Sequence, residues 1–220
     1  MYNVEQLFRT HGGIFPQSYE GFVEKATKIK VLLFDWDGVF NNGQKTGERH
    51  SSFSEPDSMG VNLLRYGLWI TNSQKLPVSA IISGAENNMA TYYAKREHFH
   101  NVFTGIKNKN SVVEQLINSY QLKPEEIAFF FDDIIDLPVA SQAGLRFFIS
   151  RNGGHLLNSY VINHELADYI PASTSYPLRE CCELFLGALG IFNEVVEARI
   201  HFEGAYNEYW TARNLIETIG

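Results

Sequence analysis

Short apolar runs alternate with longer amphipathic stretches along most of the chain. The strand-length runs are residues 31–34, 78–82, 127–131 and 145–149, with shorter candidates at 102–103 and 168–170. Between them, apolar residues recur at helical spacing, as in Val112, Val113, Leu116 and Ile117. Strands that alternate with helices predict an α/β fold, a three-layer structure around a mostly parallel sheet.

The two ends of the chain lack this alternation. Residues 1–29 predict two short helices, broken at Gly12-Gly13 and Pro16, which form a packing or interface arm. Residues 191–219 predict one further helix with an aromatic-rich side, which docks either on its own domain or on a neighbour. We therefore expect an N-terminal arm (1–29), a core (30–189) and a C-terminal extension (190–220).

Polar side chains follow the first buried run at the point where it ends. Asp35 and Asp37 come directly after it, and Gly38 follows. Two carboxylates one residue apart repel each other unless a cation lies between them, and Mg²⁺ suits such a pair. An ordinary Asp-Gly turn after a strand explains the same residues equally well.

The later strands end in similar chemistry. Ser83-Gly84 follows the second run, where a hydroxyl and free N–H groups suit a phosphate, although Ser-Gly also marks ordinary turns. Lys107 and Lys109 are placed in the first turn of the next helix, where the helix dipole disfavours cations, and a solvated lysine is the alternative for each. Because parallel strands end at one edge of a sheet, we expect these groups to meet there.

The third long run ends in three acids, Asp132, Asp133 and Asp136. Three carboxylates within five residues of sequence at a strand end are costly without a cation. This cluster strengthens the prediction of a metal site at the edge of the sheet.

Composition narrows the class of protein. The 220 residues are 45% hydrophobic and 20% charged, with a net charge of −7 and no long basic run, which argues against nucleic-acid binding. No apolar run is long enough to span a membrane, and the N-terminus lacks a signal-peptide pattern. The adjacent cysteines, Cys181 and Cys182, provide no disulfide framework, so we expect a cytoplasmic protein.

Taken together, these strand ends resemble the four motifs of the haloacid dehalogenase superfamily of phosphohydrolases. The motifs are Phe34-Asp-Trp-Asp-Gly-Val39, Ile81-Ile-Ser-Gly84, Lys109 and Asp132-Asp-Ile-Ile-Asp136. Within the superfamily, the chain is most similar to the 3-deoxy-manno-octulosonate 8-phosphate phosphatases, from about Lys28 to Leu189. Gly105-Ile-Lys-Asn-Lys109 and Pro177-Leu-Arg-Glu-Cys-Cys-Glu-Leu184 belong to this narrower similarity.

The resemblance implies a role for each residue in phosphoryl transfer. Asp35 would be the nucleophile and form an aspartyl-phosphate, and Asp37 would be the general acid and base. Ser83, Gly84 and Lys109 would hold the phosphoryl oxygens.

The resemblance also implies a metal site. Mg²⁺ would bind Asp35, the backbone carbonyl of Asp37, and Asp132. Around it, Asp136 would hold Lys109 or a metal-bound water, and Asp133 would be either a metal-shell partner or a helix N-cap.

The resemblance further implies a Rossmann-like fold without a large cap domain. A β-hairpin after the first strand, at residues 40–54, would form a homotetramer whose neighbouring subunits close each active site. The substrate would be a small phosphorylated metabolite, either a sugar phosphate or a sugar-acid phosphate.

Four positions depart from the family pattern. Phe131 stands where glycine is usual, Asn41 where threonine is usual, Ala85 where arginine is common, and Ser173-Thr-Ser-Tyr176 where a glycine-rich stretch carries arginine. These departures leave open a catalytically idle relative that binds a ligand or partner, and also a nucleotide monophosphatase.

Overall fold

The computed structural model describes residues 3–45 and 51–220. It contains one five-stranded sheet in the order β3-β2-β1-β4-β5, in which every neighbouring pair is parallel. The strands are β1 (Val31–Asp35), β2 (Val78–Ile82), β3 (Asn101–Phe103), β4 (Ile127–Phe131) and β5 (Leu145–Phe148). The predicted α/β class is confirmed.

Helices cover both faces of this sheet. They are α1 (Val4–Thr10), α2 (Tyr19–Ala26), α3 (Glu55–Thr71), α4 (Asn88–Arg96), α5 (Asn110–Tyr120), α6 (Leu137–Ala140), α7 (His155–Asn163), α8 (Pro177–Ala188), α9 (Phe192–His201) and α10 (Ala205–Asn214). Several begin at a side chain that accepts a hydrogen bond from a backbone N–H of the first turn, such as Ser18 in α2 and Ser54 in α3. Such caps satisfy N–H groups that have no partner within the helix.

Alternation along the strands separates two hydrophobic layers. In β1, Leu32 and Phe34 pack into a layer with α2, α3, α4, α8, α9 and α10. Val31 and Leu33 face the other way and pack with α5, α6 and α7. Because successive strand residues point to opposite faces, a fully apolar run must be covered on both sides.

Both ends of the chain pack on this core. Phe22 of α2 is buried against Phe147 and Phe185. In α10, the rings of Tyr206 and Tyr209 lie 4.7 and 5.3 Å from that of Tyr66 in α3. The aromatic side of the C-terminal extension therefore docks on its own chain.

Three details differ from the sequence prediction. The single helix predicted over 191–219 is wrong, because positive φ angles at Phe202 (53°) and Gly204 (58°) divide it into α9 and α10. The candidate strand at 168–170 forms only isolated bridges, Ile14 with Ile170 and Phe147 with Tyr169. Helix α7 is absent from the prediction, and its N-cap residue, Gly154, provides no side-chain cap.

The segment that follows β1 determines the shape of the site. Between β1 and α3 the described residues form turns and loops, and a large cap domain has no place there. The turn of the predicted hairpin, near Thr46-Gly47-Glu48, lies outside the described residues. The hairpin and its role in a tetramer therefore stay predictions.

None of the helices in the described ranges combines the length and the apolar character that crossing a bilayer requires.

Candidate active site

A cavity of about 560 Å³ opens at the carboxyl edge of β1, β2 and β4. Its lining includes every side chain that the sequence assigned to the site, namely Asp35, Asp37, Ser83, Gly84, Lys109, Asp132, Asp133 and Asp136. Four separate segments of sequence thus meet at one edge of the sheet, where parallel α/β folds bind their ligands.

Lys109 lies at the centre of the site. Its Nζ is 2.6 Å from Asp35 Oδ1 and 2.5 Å from Asp136 Oδ1, and all three residues are buried. Burial would lower the pKa of Lys109, but the charges of Asp35 and Asp136 outweigh burial and raise it. Lys109 is therefore a fixed cation beneath the cavity.

The two lysines of the third motif occupy different environments. Helix α5 begins at Asn110, so Lys109 is its N-cap and Lys107 lies in the preceding loop. The predicted position of both lysines in the first helical turn is wrong. Lys107 is solvent-exposed at the mouth of the cavity, whereas Lys109 is only 6% exposed.

Three carboxylates converge around this one ammonium. Oxygen atoms of Asp35, Asp132 and Asp136 all lie within 4.8 Å of one another. Burial, followed by the charge of Asp136, raises the pKa of Asp35 well above its usual range and that of Asp132 to about 7. The group carries more buried negative charge than Lys109 compensates, which is the electrostatic condition for binding a cation.

Two further observations fit a hard divalent metal. Asp136 Oδ2 is buried and has no hydrogen-bond partner among the described residues, so it remains available to a metal or to a metal-bound water. The donors around it are carboxylate oxygens, which Mg²⁺ prefers. Buried polar atoms normally have a partner, and this unpartnered oxygen therefore marks a place for one.

Gly38 permits the close approach of the first and fourth motifs. Its φ is +87°, and a Cβ at this position would lie 1.7 Å from Asp132 Oδ2. Any side chain here would push the Asp132 carboxylate away from β1. The glycine of the Asp-Gly pair therefore does more than form a turn.

Asp37 faces a different set of partners. Its Oδ2 is 3.0 Å from Lys45 Nζ, and its Oδ1 is 3.5 Å from Asn87 Nδ2. The Asp37 carboxylate does not belong to the group formed by Asp35, Asp132 and Asp136. The Asp37 side chain thus remains separate from those three carboxylates, and the expected metal contact of its backbone carbonyl stays a prediction.

Two residues that sequence left ambiguous have clear structural contacts. Asp133 accepts a hydrogen bond from the backbone N–H of Ile134 at 2.7 Å and caps a short 3₁₀ turn, which matches its N-cap alternative. Phe131 is fully buried between Phe129 and Phe148 and does not line the cavity. Its ring fills the sheet layer without narrowing the site.

Arg151 is a site neighbour that sequence reasoning missed. It follows β5 and donates from Nη2 to the backbone carbonyl of Gly38 and, at 2.6 Å, to that of Asn41. The side chain of Asn41 accepts a hydrogen bond at Oδ1 from the Gly43 N–H at 2.9 Å. The side chains of Arg151 and Asn41 therefore both brace the loop that carries Asp37. The position of Arg151 after a buried strand was the available signal, the same one that identified the four motifs.

Curated relatives of the chain are bacterial phosphatases. The chain is 26% identical over 178 residues to the 3-deoxy-D-manno-octulosonate 8-phosphate phosphatase KdsC of Escherichia coli K12. The aligned region covers 78% of this chain and 87% of that protein. The chain is also 29% identical over 127 residues to KdsC of Yersinia pestis. This aligned region covers 56% of this chain and slightly less than two thirds (64%) of that protein. No family model matches the chain.

Solved structures share the fold. A hydrolase from Legionella pneumophila, assigned to the HAD (haloacid dehalogenase) superfamily, subfamily III A, superposes with a TM-score of 0.67 at 27% identity over 83% of this chain and 95% of that one. The 3-deoxy-D-manno-octulosonate 8-phosphate phosphatase of Moraxella catarrhalis has a TM-score of 0.67 at 24% identity, and covers 83% of this chain and 99% of its own. That structure contains a magnesium ion, a phosphate ion and a KDO molecule.

Proposed function

We propose that this chain uses Mg²⁺ to hydrolyse a small phosphorylated sugar or sugar acid. The chain is a phosphatase of the haloacid dehalogenase superfamily, related to the 3-deoxy-D-manno-octulosonate 8-phosphate phosphatases. The observation that carries the proposal is the buried contact of Lys109 with Asp35 and Asp136, beside Asp132. It combines a nucleophile, a fixed cation and a surplus of carboxylates in one cavity.

Mg²⁺ would be held by Asp35, the backbone carbonyl of Asp37, and Asp132, with Asp136 beside them. When bound, it would neutralise phosphoryl charge and orient the phosphoryl group toward Asp35. Mg²⁺ is also present in the structure of the Moraxella catarrhalis protein.

The nucleophile in this proposal is Asp35. Its carboxylate attacks the phosphorus atom and forms an aspartyl-phosphate while the bond to the leaving oxygen breaks. Lys109, which contacts Asp35 Oδ1, orients the carboxylate and stabilises the phosphoryl oxygens together with Ser83 and the backbone of Gly84.

The acid and base in this proposal is Asp37. Its carboxyl group gives a proton to the leaving oxygen, then accepts one from the water that attacks the aspartyl-phosphate, which restores Asp35 and releases phosphate. The separation of Asp37 from the other carboxylates allows it to exchange protons while they hold the metal.

The proposed substrate class rests on the relatives, and the proposed assembly rests on the family resemblance of the sequence. A sugar-acid phosphate follows from the names of the KdsC proteins. We further propose a cytoplasmic homotetramer that closes its active sites with neighbouring subunits and has no nucleic-acid or membrane partner.

The test is phosphate release from a panel of sugar phosphates, sugar-acid phosphates and nucleotide monophosphates, with Mg²⁺ and with EDTA. We expect Mg²⁺-dependent release from a sugar or sugar-acid phosphate. Asp35→Asn, which keeps the shape of the side chain, should lower the turnover by about 10⁴-fold or more while the protein stays folded.

Two results would contradict the proposal. Near-normal turnover by Asp35→Asn would exclude Asp35 as the nucleophile. Absence of release by folded, Mg²⁺-loaded protein from the whole panel would favour an idle relative that binds a ligand, and preferential release from nucleotides would replace the substrate class.

A further inference from the structure

The orientation of the Asn87 side chain is determined by the helix that it caps. Its Oδ1 accepts hydrogen bonds from the backbone N–H groups of Met89 (3.1 Å) and Ala90 (3.2 Å), at the start of α4. Because those two donors require an oxygen, the amide nitrogen must point the other way. Asn87 is 2% exposed, so this orientation is locked by its surroundings.

The amide nitrogen reaches two further groups. Asn87 Nδ2 donates to Ser51 Oγ at 2.9 Å and lies 3.5 Å from Asp37 Oδ1, and the Ser51 hydroxyl also lies 3.3 Å from Asn87 Oδ1. Ser51 Oγ also accepts a hydrogen bond from Trp36 Nε1 at 2.6 Å. Trp36 stands between Asp35 and Asp37 in sequence and is fully buried against the rings of Phe40 and Tyr93.

The opposite oxygen of Asp37 has a less restrained partner. Lys45 Nζ lies 3.0 Å from Asp37 Oδ2, but its side chain is 44% exposed. A long solvated side chain loses conformational entropy when it is held in one place, and exposed ion pairs contribute little. The rigid restraint on the Asp37 side chain therefore comes from the buried side.

We propose that Asn87 is a positioning residue for Asp37, and that the hydrogen-bonded chain Trp36–Ser51–Asn87 holds the Asp37 carboxyl group in line with the leaving oxygen. This inference rests on the proposed function, in which Asp37 protonates that oxygen while its bond to phosphorus breaks. The Asn87 amide makes no contact with the substrate and acts only through Asp37.

The inference predicts a dependence on the leaving group. An alkoxide leaves poorly without a proton, whereas 4-nitrophenolate is a stable anion and needs none. The ratio kcat/KM reports formation of the aspartyl-phosphate and not its later hydrolysis, in which Asp37 acts as the base. A misplaced general acid should thus lower kcat/KM for alkyl phosphates and leave that for 4-nitrophenyl phosphate nearly unchanged. A general loss of structure would slow both substrates alike.

The sharpest variant is Asn87→Asp. Aspartate caps helices as well as asparagine does, so α4 keeps its N-cap, but the donor that faces Asp37 and Ser51 becomes an oxygen. We expect kcat/KM for glucose 6-phosphate, as the alkyl phosphate, to fall about tenfold to a hundredfold, because general acid catalysis contributes about 10²–10⁴-fold. We expect kcat/KM for 4-nitrophenyl phosphate to change little.

Asn88→Asp is the matched control. It makes the same chemical change one position away, on an exposed side chain at the start of α4, and should behave as the wild type with both substrates. Ser51→Ala is a second, milder test. It removes the link to Trp36, should shift the ratio of the two kcat/KM values in the same direction, and should move the Trp36 indole N–H resonance in the NMR spectrum.

The possible failures can be told apart. An unchanged ratio of the two kcat/KM values in both Asn87→Asp and Ser51→Ala would overturn this inference. An equal loss of kcat/KM with both substrates would overturn it as well, since that indicates a structural role alone. Wild-type protein that hydrolyses neither substrate nor any member of the phosphate panel would overturn the proposed function, and this inference with it.

Discussion

Two buried clusters of charge in this molecule have opposite balances. In the acidic cluster (Asp35, Asp132, Asp136 and Lys109), three carboxylates lie together with one ammonium, and Asp136 Oδ2 has no partner among the described residues. In the Asp168 cluster, one carboxylate faces two cations. Asp168 Oδ1 contacts Lys25 Nζ at 2.6 Å and Arg146 Nη2 at 3.0 Å.

The Asp168 carboxylate is fully satisfied within the chain. Its Oδ2 accepts hydrogen bonds from the backbone N–H of Arg146 at 2.8 Å and from Arg146 Nε at 3.1 Å. This cluster joins α2 to β5 and requires nothing further. The comparison teaches that burial of charge alone does not mark a functional site. A surplus of charge of one sign beside an unpartnered polar atom does mark a functional site, because a ligand must complete such a cluster.

The largest expected difference between the two clusters is in the effect of substitutions on catalysis. Lys109→Ala should lower kcat/KM by about 10²–10³-fold, since it removes the cation that contacts the nucleophile and stabilises phosphoryl oxygens. Lys107→Ala is the matched control at the exposed position and should lower it by less than about threefold. Phosphate-release kinetics check both variants. The reverse order would mean that the wrong lysine has been assigned.

The second effect concerns stability. Asp168→Ala should lower the free energy of unfolding by about 3 kcal/mol, because it leaves Lys25 and Arg146 without their buried partner, while activity per folded molecule stays near normal. Asp132→Asn should not destabilise the metal-free protein, because it relieves repulsion among carboxylates. Urea denaturation with EDTA measures both. Equal destabilisation by the two substitutions would remove the distinction between the clusters.

Asp57 is intermediate between the two clusters, and its substitution should have the smallest of the expected effects. Its Oδ1 accepts a hydrogen bond from the Arg179 N–H at 2.8 Å, yet burial raises its pKa from 3.8 to about 6. The folded state thus binds this proton more tightly than the unfolded state. The associated stability is present below about pH 4 and is lost as pH rises through about 6.

Asp57→Asn should lack this pH dependence. Relative to the wild type, the variant should gain about 2 kcal/mol in the free energy of unfolding between pH 4 and pH 7. Urea denaturation at both pH values checks the difference. A difference that does not vary with pH would contradict the raised pKa.

Much of the architecture follows from local pattern. Apart from Ser79, the predicted runs that became the central strands β1, β2 and β4 are apolar throughout, because both faces of a central parallel strand are covered. Glycine, proline and helical spacing placed α1, α2, α5 and α8. The candidate site followed from a topological rule, since parallel strands must bring their carboxyl ends to one edge.

What the sequence did not predict depends on long-range contacts or weak signals. Helix α7 has no side-chain cap and buries only Val161, so its pattern is faint. The N-cap role of Asn87 is readable from sequence, but its approach to Asp37 is not, because 50 residues separate them. Local pattern alone left Lys107 and Lys109 equivalent and only the family resemblance singled out Lys109, because its contacts with Asp35 and Asp136 depend on the fold.

The central claim is that the surplus negative charge of the acidic cluster forms a divalent cation site. Isothermal titration calorimetry of Mg²⁺ into the wild type and into Asp132→Asn tests it most directly. We predict one Mg²⁺ bound per wild-type chain, with stabilisation of about 2.7 kcal/mol at a hundredfold excess over Kd, and strongly weakened binding in the variant. Wild-type protein that binds no Mg²⁺, or a variant that binds it equally well, would contradict the account.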